Sequence, residues 1–401
     1  MDFDGSIEVP AGQELQLWTL TLPARPGVYL LWGQAHEPIL LSTSGSVRAV
    51  VRRKLSPNPE DIAAKRADLA KITKGVSWTQ ADSNFVAYLQ FHRLAREIYP
   101  QTYRETLGWH DPWWVRVNMS DPFGRLLTTR KLSWPGPDEF VGPWPNARSA
   151  GNFIDVATDL FSFCRNYELL QRSVACKGGT VTCTYAQMDK CCGLCEGKIS
   201  AQEYRGRLIK AARLTEPEFC RQLQADLEKQ MQAAAADMNF EEAGKLKDLL
   251  ARLKDLFRDD FRWADNLRRF AYLVIAPGKD RHQLRPWRVV GGTVQPGEPF
   301  ALAELDQQLP EILNWAGQAR DLRPEDANQL QQWCETVSLV SYFLFRSHSD
   351  KCLYYRLSNL PSIEEMVEQI EKRFTRPSRP KVKPDDPIPE TDSLKKSPQG
   401  Q

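Results

Sequence analysis

The chain has 401 residues, 42% of them hydrophobic, with 12 tryptophans, enough to fill two to four small cores and too apolar for a disordered protein. Fifty-three basic residues against 51 acidic ones leave a formal charge of +2, so bulk charge argues neither for nor against nucleic acid, and only a local basic patch could. No apolar run reaches the roughly 20 residues of a membrane span; Asp2, Asp4, Glu8 and Glu14 stand where a secretory leader would be basic and then apolar, so neither membrane nor export is expected. In the cytoplasmic protein this implies, nine cysteines read as thiols and metal ligands rather than as a disulfide framework.

In chain order, LWTL near residue 17 and GVYLLW near 27 read as strands, with the apolar run PILLST beyond them and SVRAVVRRKL spaced for one helical face. Pro26-Gly27 marks the turn into the second strand. NFVAYLQFHRLAREIY, 84–99, predicts a helix that Pro100 ends. WWVRVNM near 113 and GRLLTTRKL near 124 predict an antiparallel pair around Asp121-Pro122. A Pro- and Trp-rich connector, SWPGPDEFVGPWP, leads to a helix from Ala150 to about Phe163.

That helix delivers the chain to Cys164, and Cys183, Cys191 and Cys195 follow. Soft thiolates gathered in one segment select zinc or an iron–sulfur cluster over hard cations. Cys192-Gly-Leu-Cys195 also has the gap of a zinc knuckle, which Cys176 and Cys183 could complete; buried, unmetallated thiols are the remaining reading. From Ser200 helices take over. Residues 218–257 divide at Met238-Asn239 into two amphipathic helices, one with Leu223, Leu227, Met231 and Ala234 on a stripe, the other with Phe240, Ala243, Leu246, Leu250 and Leu253. Such a hairpin either belongs to a core or docks on a partner. Beyond 260, RRFAYLVIAP, WRVVGGTV and CLYYRLS predict strands and PEDANQLQQWCETVSLVSYFLFRS a long helix. From Thr375 the chain is Pro-, Lys- and Asp-rich, and a disordered tail is expected.

These segments, over roughly residues 20–258, resemble in order those of the bacterial UvrC excinuclease family. RPGVYLL is similar to the first signature strand of its GIY-YIG nuclease domain, and EFVGPWPNARSAGNFIDVATDLFSFC to its connector. CTYAQMDKCCGLCEGKISAQEY is the closest block, with gaps of seven and then three residues between its last three family cysteines. The helical hairpin resembles the UVR motif through Met231, Phe240, Glu241 and Ala243.

The resemblance implies an α+β protein: a small GIY-YIG-like α/β domain over 1–118, connector and cysteine-rich segment over 119–200, a helical region with the UVR hairpin over 201–258, a C-terminal α+β domain of unknown role over 259–374, and the tail, 375–401. It also implies a [4Fe–4S] cluster on Cys164, Cys183, Cys191 and Cys195, with zinc as the alternative and Cys176 and Cys192 as alternate ligands. A UvrB-like partner is implied at Met231, Phe240 and Ala243, and damaged DNA is a further candidate ligand.

Of the nuclease residues the family uses, only Tyr29 remains. Leu40 stands for the second tyrosine, Val50 for the phosphate-binding arginine and Gln90 for the metal-holding glutamate. An amide removes the anionic ligand a divalent metal needs, so none is expected there, and valine removes the phosphate clamp. The reading is a non-catalytic repair protein. The alternatives are a single-incision endonuclease using Tyr29 with other helpers, and a metal-bearing adaptor outside repair. Arg48, Arg52, Arg53 and Lys54 could face a phosphate backbone or simply water.

Overall fold

The computed structural model describes residues 2–375 apart from 11, 57–67, 122, 134–135, 176–182, 189, 258–260, 281, 319–323, 325 and 347–350. Pro122, Cys176 and the expected tail beyond Thr375 therefore lie outside the described residues. Only helices of eight residues or more carry a number.

The first sheet has the order β1-β4-β2-β3, all antiparallel: β1 Gly5–Glu8, β2 Gly27–Trp32, β3 Pro38–Ser44 and β4 Gly75–Gln80. β2 is buried throughout, and its alternating side chains face two helices. Tyr29 and Leu31 pack with Val47, Val51 and Leu55 of α1 (Val47–Leu55). Val28, Leu30 and Trp32 pack with Phe85, Phe91 and Leu94 of α2 (Asn84–Ile98). Each helix opens on a serine N-cap: Ser46 accepts from the Ala49 N–H and Ser83 from the Val86 N–H, satisfying donors the first turn leaves unpaired.

The stretch LWTL, expected as a strand, is instead a turn of α-helix, Leu15–Trp18, running into a 3-10 turn, Thr19–Thr21. The physical reason is local and tertiary together. Thr19 Oγ1 donates to the Leu15 carbonyl at 2.7 Å, and Arg48 donates to the carbonyls of Leu20 and Leu22, both at 2.8 Å. Arg52 adds the Gln16 carbonyl at 3.2 Å. Two of the arginines considered for phosphate contact are thus committed to closing a helix end.

The second sheet is β6-β5-β7-β8 (β5 Trp113–Val117, β6 Leu126–Thr129, β7 Glu139–Trp144, β8 Asp265–Asn266). The expected β5–β6 pair is present. The segment expected to be only a connector supplies β7, an interior strand between β5 and β8. Gly142 permits it, because a Cβ there would meet the Trp114 ring at 2.9 Å. Trp114 is buried, and Trp113 is half-buried beneath the Arg130 guanidinium, 4.8 Å from its ring centre.

Behind this sheet lie α3 (Ala147–Phe161), α4 (Tyr167–Ala175), α5 (Ala201–Ala212), α6 (Pro217–Ala236) and α7 (Phe240–Asp255). Their core joins Val115, Val141 and Trp144 to Phe153 and Val156 of α3, Tyr204 and Leu208 of α5, Leu227 of α6 and Leu246, Leu250 and Leu253 of α7. The third sheet, β11-β10-β9-β13 with β12 paired to β10, is made of β9 Ala271–Pro277, β10 Gln283–Val290, β11 Thr293–Pro296, β12 Phe300–Ala301 and β13 Leu353–Arg356. One face carries α8 (Leu305–Gly317) and α10 (Ile363–Phe374). The other, with α9 (Ala327–Phe345), shares a single core with α2 and the first sheet: Phe85 meets Phe343 edge-on at 5.5 Å and Tyr354 at 6.0 Å.

A buried carboxylate ties this junction. Glu335 of α9 accepts from the Tyr103 hydroxyl at 2.6 Å, from Arg104 and from Gln331, and its other oxygen meets His92 at 3.0 Å. Burial alone would raise its pKa, but the hydrogen bonds from His92, Tyr103, Gln331 and Arg104 outweigh it and bring the group to about 2.

Candidate functional site

The cysteine segment is built on the end of α3. Ser162, left-handed at φ 53°, ends the helix, and its carbonyl accepts the Cys192 N–H at 2.8 Å. Two left-handed glycines, Gly193 and Gly197, bracket the 3-10 turn Leu194–Glu196. The Gly193 carbonyl accepts both the Glu196 and Lys198 N–H groups. A Cβ at Gly193 would in addition strike the Lys198 side chain at 2.5 Å. The loop is therefore held by backbone bonds, with Cys191 entering it and Cys195 inside it.

Cys164, Cys183, Cys191 and Cys195 lie near enough for their charges to influence one another. Burial pushes the Cys164 thiol up to about 11, opposed by a hydrogen bond from the Asn166 backbone and increased by the like charges of Cys191, Cys195 and Cys183. Cys195 is likewise raised by burial and then by Cys191 and Cys183. Cys192 is buried in the core with Tyr204 and Leu208, whereas Cys164 and Cys195 lie at its edge. Among the described residues no three His, Cys, Asp or Glu side chains are gathered closely enough for one metal ion. A tetrahedral zinc with sulfur at about 2.3 Å draws its thiolates to within roughly 4 Å of one another; a cubane cluster, with one iron behind each cysteine, holds them further apart. A cluster on these four residues would clip the end of α3 to the 183–195 loop.

The residues expected at a nuclease site are placed differently. Tyr29 is 1% exposed; burial raises its pKa, against a hydrogen bond with Ser42 and the charge of Arg53, which lower it. Ser42 is its cross-strand neighbour, while Leu40 pairs with Leu31. Val50 packs at the edge of the Tyr29 cluster. Gln90 is on α2, which covers the opposite face of β2, and its amide donates to the Gln80 carbonyl at 3.2 Å. No described hydrogen bond joins Gln90 to Tyr29.

The hairpin breaks at Met238, left-handed at φ 55°, and Asn239 caps α7 by accepting the Glu242 N–H. Its base is in the core through Leu246, Leu250 and Leu253, but its tip is not: Met238 is 77% exposed and Phe240 71%. Met231 and Ala243, expected beside Phe240, are half-buried. Met238 was not singled out from the sequence, although its place between two stripes marks it as a tip residue. Among the described residues no helix is long and apolar enough to cross a membrane.

Residues 112–214 match the model of the UvrC/Cho excinuclease middle domain, and 221–256 match that of the UvrB/uvrC motif. The sheet–helix–cysteine unit is thus similar to the excinuclease middle domain, and the hairpin to the UvrB/uvrC motif. The chain is 28% identical over 234 residues to UvrABC system protein C of Geobacter metallireducens, covering 58% of this chain and 37% of that one. The protein of the same name from Acetivibrio thermocellus is 26% identical over 59% of this chain and 37% of its own length. That from Methanococcoides burtonii is 24% identical over 61% and 39% respectively. The chain is thus similar to UvrC proteins over about three fifths of its length, and the matched stretch covers less than two fifths of these relatives. No solved structure matches it.

Proposed function

We propose that this chain is a non-catalytic UvrC-like component of nucleotide excision repair, which docks a UvrB-like partner on the tip of its hairpin. The observation that carries the proposal is the exposure of Met238 and Phe240 on a hairpin whose base is anchored in the core. Two bare apolar side chains at the end of a rigid lever form a small anchor of the kind that fills a partner's pocket.

The nuclease reading is weaker on physical grounds. A tyrosine that activates water must reach it and be able to surrender its proton; Tyr29 is sealed between β2 and α1 and its pKa is raised. The mutual electrostatic influence of Cys164, Cys183, Cys191 and Cys195 supports a [4Fe–4S] cluster on them as a structural clip.

The test is paired. The purified chain should retain its UvrB-like partner on a column, and Phe240→Ala should not. An incision assay on damaged duplex with Mg²⁺ or Mn²⁺ should show no cutting; cutting abolished by Tyr29→Phe would establish the endonuclease instead.

A further inference from the structure

A cavity of about 390 Å³ opens between α5, the start of β7 and the segment that follows β8. Four arginines line it: Arg205 and Arg213 from α5 and its end, Arg268 and Arg269 from the turn after β8. Only two carboxylates, Glu139 and Glu216, share that lining. They are arranged to hold guanidinium groups rather than to neutralise the space. Glu139 takes Arg268 at 3.1 Å and is itself fixed by the Asn266 amide at 2.9 Å. Glu216 bridges Arg213 at 3.0 Å and Arg269 at 2.7 Å. Behind them Asp265, 2% exposed, receives Arg269 at 2.6 Å. Arg205 makes no hydrogen bond or ion pair among the described residues. The rest of the wall is apolar, with Met119, Pro137, Ala212 and the half-exposed Ile209.

Guanidinium groups held rigid by carboxylates are prepared to bind phosphate oxygens, since less side-chain freedom is lost on contact. A concave site of this size with one apolar wall suits a ligand with an anionic end and a flat, poorly hydrated body. We propose that this cavity binds one nucleotide unit, its phosphate on Arg205 and the neighbouring arginines and its base or sugar against Ile209 and Met119. Asn266, Arg268 and Arg269 lie beyond both matched family segments, whereas Arg205, Ile209 and Arg213 lie within the first, so the site forms where the C-terminal part of the chain packs on the matched unit. It involves neither the hairpin tip nor the cysteines and stands apart from the docking proposal. The phosphate is either that of a strand or that of a free nucleotide.

The experiment uses the full chain with Arg205→Ala and Ile209→Glu, both at exposed positions, and Lys372→Ala on α10 as a distant charge control. Binding of a labelled oligo-dT of roughly 12 nucleotides is followed by anisotropy over a salt series, and binding of dAMP by calorimetry with inorganic phosphate as competitor. Both cavity variants are expected to weaken binding about tenfold, with the salt slope for the strand reduced by roughly 0.7 in Arg205→Ala. Lys372→Ala should stay within twofold. Loss confined to the strand assigns the site to a nucleic-acid backbone, and loss of dAMP as well assigns it to single nucleotides. With unchanged melting temperatures, affinities within twofold of the parent for both probes in both variants would overturn the proposal, as would an equal loss in Lys372→Ala.

Discussion

Replacing Phe240 by alanine tests whether the hairpin tip is an anchor or merely the end of a helix. A phenylalanine side chain offers on the order of 200 Å², so at 71% exposure about 140 Å² is open to a partner. Burying that area at about 25 cal/mol per Å² contributes roughly 3.5 kcal/mol. Alanine retains its Cβ and a docked ring is seldom fully enclosed, so about 2 kcal/mol, or roughly 30-fold in Kd, is the expected loss. Folding should hardly change, because the ring makes little contact within the chain and exposed substitutions fall within about 0.5 kcal/mol. The assay is calorimetric titration of the UvrB-like partner, with melting curves of the free chain alongside. Met238→Ala should follow the same pattern, since that residue is 77% exposed beside it. Binding of both variants within threefold of the parent would refute the anchor, whatever became of the partner's affinity for the rest of the chain.

Leu253→Ala should instead lower stability by about 2–5 kcal/mol, read by urea denaturation, because this residue is wholly buried where α7 meets α3. Glu335→Gln should lower stability near neutral pH by on the order of 3 kcal/mol, from a pKa brought from 4.5 to about 2 in the folded state. The folded carboxyl titrates below its unfolded value, so this contribution is complete above about pH 4.5 and fades toward pH 2. Melting temperatures of parent and variant should converge over that window, and a constant gap would contradict it. Under anaerobic purification Cys191→Ala should lose the iron and sulfide of the proposed cluster, whereas Cys192→Ala should keep both; equal loss would return Cys192 to the ligand set.

The helices were legible because their stripes are long: α2, α3, α9 and the hairpin pair lie where 3.6-residue spacing puts them, within a few residues. Strands were legible where apolar runs are dense, as in β2 and β9. β1 and β4 escaped notice because they carry their neighbours' polar needs. Ser77 of β4 accepts from the Trp32 indole at 3.1 Å and meets Ser6 of β1 at 2.8 Å. A strand read as serine, threonine and glutamine does not announce itself. β7 was hidden by two prolines and a glycine that normally signal a loop, and it stands as a strand because α3 and β5 enclose it. The cysteines were visible by spacing. The arginine cavity was not, since its four residues come from segments more than 50 positions apart that only the β7–β8 pairing brings together.

That pairing bears on what residues 260–374 do. β8 completes the second sheet, and the core of α9 continues without interruption into α2 and the first sheet. The later segment is thus packed into both earlier units, through backbone bonds at one and aromatic side chains at the other. α2 is the helix on which Gln90 stands, and its buried face is given to Phe343, Tyr354 and Trp287 rather than left beside an open cleft. A glutamate at position 90 would have to gather a hydrated divalent cation at the margin of this core. The Gln90 amide nitrogen donates to the Gln80 carbonyl, while its oxygen is buried without a hydrogen-bond partner among the described residues. α2 is instead at the centre of the core that joins the first sheet to the third, through Phe85 against Phe343 and Tyr354.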